Sequence, residues 1–304
     1  MQSIDLKNIG QLKVFLSCIS LSLFIVVIYG FMQAFLGIGL TSEQIVWTDG
    51  AMFPGLKTRV FSTWQNPNLL GGYFDLMLGL MAGMFLLIKH KIVRIVIAVL
   101  FCLTAFCLTL TYARGACLSI ALVIFVYSIL YNRKVLLALI GLAVILLLSD
   151  ATLVDRMTSI FTKMDTSSEM RLAFWESTIA MILDHPLLGI GWGSYFMVYP
   201  NYDYYMQGNF IKIVHAHNMY LNFMAEIGLF GFASYMVCFF GVIYKAFKAH
   251  VMKLDILVKA MFLGIGLGLS ALALNGFTDY VMFNTELSML VWLFSGIVVS
   301  GYKN

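Results

Sequence analysis

The sequence predicts an all-α, polytopic helical membrane protein, because its residues are mostly apolar, few are charged, and the apolar residues are grouped in long blocks. Hydrophobic residues make up 61% of the 304 residues and charged residues 11%. Soluble domains are nearer to about half apolar and a quarter charged. The sequence therefore excludes an ordinary soluble protein, and we expect residues 1–304 to form a single transmembrane domain.

Eight apolar blocks have about the length needed to cross a bilayer, which is about 20 residues for a helix, within a range of roughly 17 to 25. They cover residues 12–36, 68–88, 92–110, 115–131, 135–151, 218–244, 255–275 and 284–301. The first block is too long for a secretory signal and lacks a cleavage site, so we interpret it as a retained span. The fourth and fifth blocks are short and form either two spans or a re-entrant pair, of which we favour two spans.

The distribution of charge predicts how these spans are oriented. With the N-terminus inside, the inner connections and termini contain twelve of the nineteen Lys and Arg residues, whereas ten of the fifteen acidic residues lie on the outer side. Basic residues in short connections mark the cytoplasmic side. We therefore expect both termini in the cytoplasm and two long loops, residues 37–67 and 152–217, on the outer side.

The larger outer loop is expected to contain an amphipathic helix on the membrane surface. Apolar residues recur there at helical spacing: Leu172, Trp175, Ile179, Ile182 and Leu183. Ser167 or Ser168 can cap this helix, and His185-Pro186 ends it. Because loops of this length are usually functional, we expect the active site on this side.

Two arginines are candidate site residues on the outer side. Arg114 lies in the short junction 111–115 between two apolar blocks. A charge at membrane depth costs about 2.5–3.5 kcal/mol and often marks a functional site, although an arginine here can also extend to the headgroups. Arg171 lies in the first turn of the amphipathic helix but off its apolar stripe, where a solvated surface charge is the simpler interpretation.

Two histidines, His215 and His217, lie immediately before the sixth apolar block. They could form a metal pair, but no Cys or third His lies at ligand spacing, so we expect no metal. Within that block, Asn218, Asn222 and Glu226 recur every four residues and share one helix face. Such an acid should face the protein interior or a wet cavity.

Four segments together resemble the O-antigen ligase and polymerase superfamily of membrane glycosyltransferases. His217-Asn218 is followed after nine residues by Gly228 and after two more by Gly231, which is similar to the family's signature. These glycines allow another backbone to approach closely. The other three segments are residues 59–68, residues 111–115 and the run from 171 to 191. The resemblance covers roughly residues 55–300, although members usually have ten or more spans.

The resemblance implies a GT-C-like enzyme that transfers or polymerises a glycan carried on undecaprenyl pyrophosphate. It would act at the periplasmic or external face of the bacterial cytoplasmic membrane, invert the anomeric centre and need no metal or other cofactor. The family's two arginines match Arg114 and Arg171, which would bind the pyrophosphate, and its histidine matches His217, which would act as the base.

The resemblance also suggests residues that bind substrate, and it leaves two questions of function open. We expect Arg59, His215, Asn218 and Glu226 to bind the substrate. The expected partners are a lipid-linked glycan donor, a glycan or lipid-linked acceptor and the bilayer, but no nucleic acid. The motifs do not distinguish a ligase from a polymerase. A solute transporter, such as a bicarbonate carrier, is the alternative, but no repeat relates the two halves of the chain.

Overall fold

The computed structural model describes residues 6, 8–40, 58–131, 166–203, 213–249 and 252–302, together with isolated positions between 137 and 158. Nine α-helices are present in these ranges: α1 (Ile9–Leu36), α2 (Pro67–Leu87), α3 (Lys91–Leu110), α4 (Arg114–Tyr131), α5 (Thr166–Asp184), α6 (Tyr195–Val198), α7 (Met219–Lys248), α8 (Ile256–Asn275) and α9 (Thr285–Tyr302). The described part of the chain contains no strand, so the predicted all-α fold class is confirmed.

Six helices are long and apolar enough to cross a membrane: α1, α2, α3, α4, α7 and α8. The slightly shorter apolar helix α9 corresponds to the eighth predicted block. Most of the predicted fifth span, 135–151, lies outside the described residues, as do residues 41–57, most of 152–165, and 204–212 of the two predicted outer loops. A polytopic helical membrane protein is therefore confirmed, and the number of eight spans stays a prediction.

Helices α2 and α8 form the centre of the bundle. In their apolar stretches 89% and 83% of the residues are buried, against 22–39% in the other four long helices. A Cβ atom on Gly79 or Gly83 of α2 would overlap the backbone of Gly268 or Gly264 of α8. Small residues at an interval of four let two membrane helices approach closely. This contact supports the site, because α2 begins and α8 ends beside it.

One end of the bundle, which we call the site end, contains the connections 58–66, 111–113 and 276–284 and the described residues of the connection 185–218. Backbone hydrogen bonds join them to neighbouring helices. The N–H of Val60 donates to the carbonyl of Leu110 at 3.0 Å, and the N–H of Met219 donates to that of Gly276 at 2.7 Å. Segments far apart in the sequence therefore meet here.

Helix α5 also lies at the site end, where it packs against α7. As predicted, it ends immediately before His185. Phe174, Thr178 and Met181 are buried at helical spacing, and the Thr178 hydroxyl lies 2.7 Å from that of Tyr195. Several residues of the predicted apolar stripe are exposed: Leu172, Ile179 and Leu183. The helix therefore has a second, protein-facing side, and its exposed stripe is the one expected to contact the membrane surface.

Candidate active site

His217 and Asp279 form a hydrogen-bonded pair at the site end. Nδ1 of His217 lies 3.0 Å from a carboxylate oxygen of Asp279, and the exposed fractions of the two side chains are 32% and 7%. Burial alone would raise the pKa of Asp279, but the charge and hydrogen bond of His217, together with the charge of Arg171, hold it well below its usual range. In the tautomer with its proton on Nδ1, His217 donates that N–H to the ionised Asp279, and the lone pair on Nε2 can accept a proton.

Asp279 was not singled out in the sequence, where it is one of ten acidic residues on the predicted outer side. Its partner lies 62 residues away, and no local pattern joins the two. Asp279 does lie in a short connection between two apolar blocks, as Arg114 does, and this position could have identified it as a candidate site residue.

His215 has a different role from His217, because its ring is buried and already engaged. Its Nδ1 accepts the backbone N–H of His217 at 3.2 Å, so a neutral ring carries its proton on Nε2. Burial, helped by the charges of His217 and Arg171 and opposed by Asp279, lowers the pKa of His215 to about 3. His215 is therefore neutral near neutral pH and supports the loop that presents His217.

A chain of polar side chains extends from Asp279 to Arg59. Asn68 Nδ2 donates to the second carboxylate oxygen of Asp279 at 2.6 Å. Arg59 donates from Nη2 to Oδ1 of Asn68 and from Nε to the carbonyl of Thr111, both at 2.8 Å. These bonds bring three of the four segments picked out in the sequence, 59–68, 111–115 and His217-Asn218, into one network.

The two candidate arginines lie at the same end of the bundle. Arg171 is close enough for its charge to act on both His215 and Asp279. Arg114 is the first residue of α4 and is half-buried. The next residue, Gly115, packs so closely that a Cβ atom there would overlap the side chains of Asn275 and Thr278, on the segment leading to Asp279.

Three polar residues at the start of α7, the first of which is its N-cap, point into the protein, as the spacing of four predicted. Asn218 donates from Nδ2 to the carbonyl of Phe277 at 3.1 Å. Asn222 is fully buried, and its Oδ1 accepts a backbone N–H of the preceding loop at 3.0 Å. Glu226 accepts the N–H of Tyr195 at 3.3 Å. Each therefore holds a segment of the site, and substrate binding by Asn218 and Glu226 stays a prediction.

The regular backbone of α7 is interrupted at Gly228, and residues 186–191 pack against the helix at this point. The φ of 63° and ψ of −175° at Gly228 are not helical. Three backbone hydrogen bonds of 2.9 Å join the segment to both halves of α7: Ile190 N–H to Ala225 O, Gly191 N–H to Glu226 O, and Leu229 N–H to Pro186 O. The loop therefore satisfies backbone groups that the helix break exposes, and it connects α5 to the helix that carries the His-Asn pair.

We expect Gly228→Ala to destabilise the protein. The backbone conformation is one that only glycine adopts without a cost of about 1–3 kcal/mol, and a Cβ atom would overlap the backbone of Leu187. The measurement is the apparent melting temperature in detergent. Gly241→Ala on the same helix is the matched control, because nothing lies within 4 Å of a Cβ there. Equal melting temperatures for the two variants would contradict this account of the break.

Backbone strain in the described residues is concentrated in the same connections. Outside glycine, positive φ occurs at Ser62, Gln65, Tyr112 and His217, with values between 49° and 59°. Such conformations are costly and are found most often at functional sites. The strain at His217 accompanies the pairing of its side chain with Asp279.

His215, His217 and Asp279 could also hold a metal ion, since their ligand atoms all lie within 4.8 Å of one another. Two imidazoles and a carboxylate form a donor set that suits zinc. No third ligand lies at local spacing in the sequence, because Asp279 comes from a distant connection. The expectation that the protein needs no metal therefore stays a prediction.

Comparison with known proteins found a family match. Residues 98–236, a little under half of the chain, match the family described as O-antigen ligase. The matched range includes Arg114, Arg171 and His217, whereas Arg59 and Asp279 lie outside it. No match was found among curated proteins. The family match confirms the resemblance found in the sequence, since residues 98–236 are similar to the O-antigen ligase family.

Proposed function

We propose that the protein is a membrane glycosyltransferase that moves or polymerises a glycan from an undecaprenyl-pyrophosphate carrier onto an acceptor hydroxyl. The observation that carries this proposal is the His217–Asp279 pair with the charge of Arg171 beside it. The family match supports a ligase or polymerase type of enzyme. The carrier, the stereochemistry and the membrane face are parts of the proposal.

In this mechanism His217 is the general base. Imidazole is suited to proton transfer near neutral pH, and ionised Asp279 orients the ring by holding Nδ1. Nε2 then removes the proton of the acceptor hydroxyl as its oxygen attacks the anomeric carbon. Phe174 stacks on the His217 ring at 5.8 Å and restricts its rotation further.

The arginines compensate the charge of the leaving group. As the bond from the anomeric carbon to the pyrophosphate oxygen breaks, the electron pair leaves with the pyrophosphate, which already departs readily and needs no general acid. Guanidinium groups give bidentate hydrogen bonds to phosphate oxygens. Arg114 and Arg171 supply the charge for which other enzymes use a divalent ion. Attack opposite the leaving group inverts the anomeric centre.

The site is proposed to face the periplasm or the exterior of a bacterial cytoplasmic membrane. The supporting observation is the asymmetry of charge, since basic residues are concentrated in the connections and termini predicted to be cytoplasmic. All four connections that build the site lie together at one end of the bundle, which is the outer end under this orientation.

The experiment that tests this function is deletion of the gene in its own host, followed by analysis of surface and carrier-linked glycan. A ladder of chain lengths that collapses to single repeat units indicates a polymerase. Full-length polymer retained on the carrier indicates a ligase. Normal glycan with altered solute uptake would contradict the proposal, and complementation with His217→Ala is the matched control for activity.

A further inference from the structure

A polar cavity lies at the site end, between α1, the turn before α2, and the start of α9. Its volume is about 250 Å³. The described residues that line it are Ser22, Val26, Thr63, Trp64, Gln65, Tyr73, Asn284 and Glu286.

The turn before α2 and the connection before α9 both line this cavity, and both also contain or adjoin residues that contact the active site. Gln65 lies three residues before Asn68, whose amide binds Asp279. Asn284 lies five residues after Asp279, and Phe283 beside it stacks on the ring of His215 at 4.5 Å. The cavity is therefore a neighbour of the active site, built on the same two connections.

The side chains in the cavity match the chemistry of a sugar ring. The indole of Trp64 stacks on Tyr73, with ring centroids 4.8 Å apart, and remains partly exposed. A flat, amphipathic ring of this kind can cover the C–H face of a pyranose. The amides of Gln65 and Asn284 and the carboxylate of Glu286 can donate to or accept from several hydroxyls.

Charge argues against a phosphate group in this cavity. Among the described lining residues Glu286 is charged and no Lys or Arg is present, in contrast to the arginines at the active site. The volume of about 250 Å³ is below the roughly 300–1,000 Å³ of sites for drug-sized ligands. Such a space suits one sugar unit.

The depth of the cavity along α1 also favours a polar ligand. Ser62, in the same turn, donates its hydroxyl to the carbonyl of Val26 at 2.7 Å. Val26 lies ten residues before the end of α1, which is about 15 Å along the helix. The turn therefore reaches well down the side of a membrane-spanning helix, where unpaired polar groups are costly.

We propose that this cavity is a saccharide subsite, which holds one sugar ring of the glycan beside the His217–Asp279 pair. The proposal rests on the proposed glycosyltransferase function. It assigns the recognition of sugar to Trp64, Gln65, Asn284 and Glu286, and leaves the pyrophosphate to the arginines.

Photocrosslinking tests where the glycan lies. The photoreactive residue p-benzoylphenylalanine replaces Thr63, which is exposed and lines the cavity, in a His217→Ala background that does not consume the donor. The probe is lipid-linked glycan from the producing strain, tritiated in its sugars. The matched control has the same residue at Val99, on an exposed face of α3. We expect at least tenfold more label at position 63, and equal labelling would overturn the subsite.

This result separates the two proposals. Label at position 63 in a protein whose wild type transfers no glycan would support the subsite and contradict the proposed function. Active transfer without label at position 63 would do the reverse.

Kinetics give a second test. We expect Trp64→Ala to raise KM for the donor or acceptor about tenfold, because a stacking face is lost, with kcat changed much less. Trp64→Phe keeps an aromatic face and should stay within about threefold of wild type. Trp292→Ala removes a half-exposed indole that packs on Tyr235 of α7 and serves as the control. An unchanged KM in Trp64→Ala would overturn the proposal.

Discussion

Replacing His217 with glutamine is expected to slow glycan transfer by about a hundred- to ten-thousand-fold, the usual contribution of a general base. Glutamine is similar in size and can still hydrogen-bond to Asp279, but it cannot take the proton of the acceptor hydroxyl. The measurement is single-turnover transfer in proteoliposomes that contain the lipid-linked donor. His90→Gln is the matched control, because His90 is exposed at the opposite end of the bundle.

Asp279 provides a check that the pair acts as a unit. Asp279→Asn should also slow transfer, since the ring of His217 loses the anion that fixes its proton on Nδ1. The double variant His217→Gln/Asp279→Asn should then be no slower than His217→Gln alone, because residues of one catalytic unit are not additive. Additive losses would mean that Asp279 has a separate role.

The second large effect is expected at the arginines. Arg114→Lys and Arg171→Lys keep the charge but lose the planar, bidentate guanidinium. Each should lower kcat/KM on the order of a hundredfold, which is typical for the loss of one charge-stabilising donor in a transition state. Competitive inhibition by undecaprenyl pyrophosphate, measured in the same membranes, should weaken in parallel.

Arg94→Lys is the control for this substitution, because Arg94 lies near the start of α3, at the other end of the bundle, over the ring of Phe85. Wild-type turnover in both Arg114→Lys and Arg171→Lys would contradict the assignment of a pyrophosphate clamp.

The helices were largely predictable, because a bilayer demands long apolar runs. The predicted block 255–275 is the helix Ile256–Asn275, and 68–88 is Pro67–Leu87. Which faces of these helices meet was not predictable. The glycines of α2 and α8 lie within nearly uniform apolar segments, and only the structure shows that Gly79 and Gly83 face Gly268 and Gly264.

The site was predictable where its residues are local and not where they depend on distant partners. The His215–Asn218 segment, Arg114 and Arg171 stood out by position, and the structure gathers them at one end. Asp279 and the cavity beside Trp64 arise from contacts between connections more than 200 residues apart, such as Asn68 with Asp279. The sequence predicted that another backbone segment packs closely against Gly228. Only the structure identifies this segment, which is the backbone at Leu187.

The role of His217 as the base can be tested by chemical rescue with imidazole. The measurement is transfer by His217→Ala proteoliposomes as a function of added imidazole, which can reach the site because His217 is 32% exposed. We expect very low transfer without imidazole and a concentration-dependent recovery with it, whereas Asp279→Asn, which retains its own imidazole, should not recover. Near-wild-type transfer by His217→Ala in the absence of imidazole would contradict the assignment.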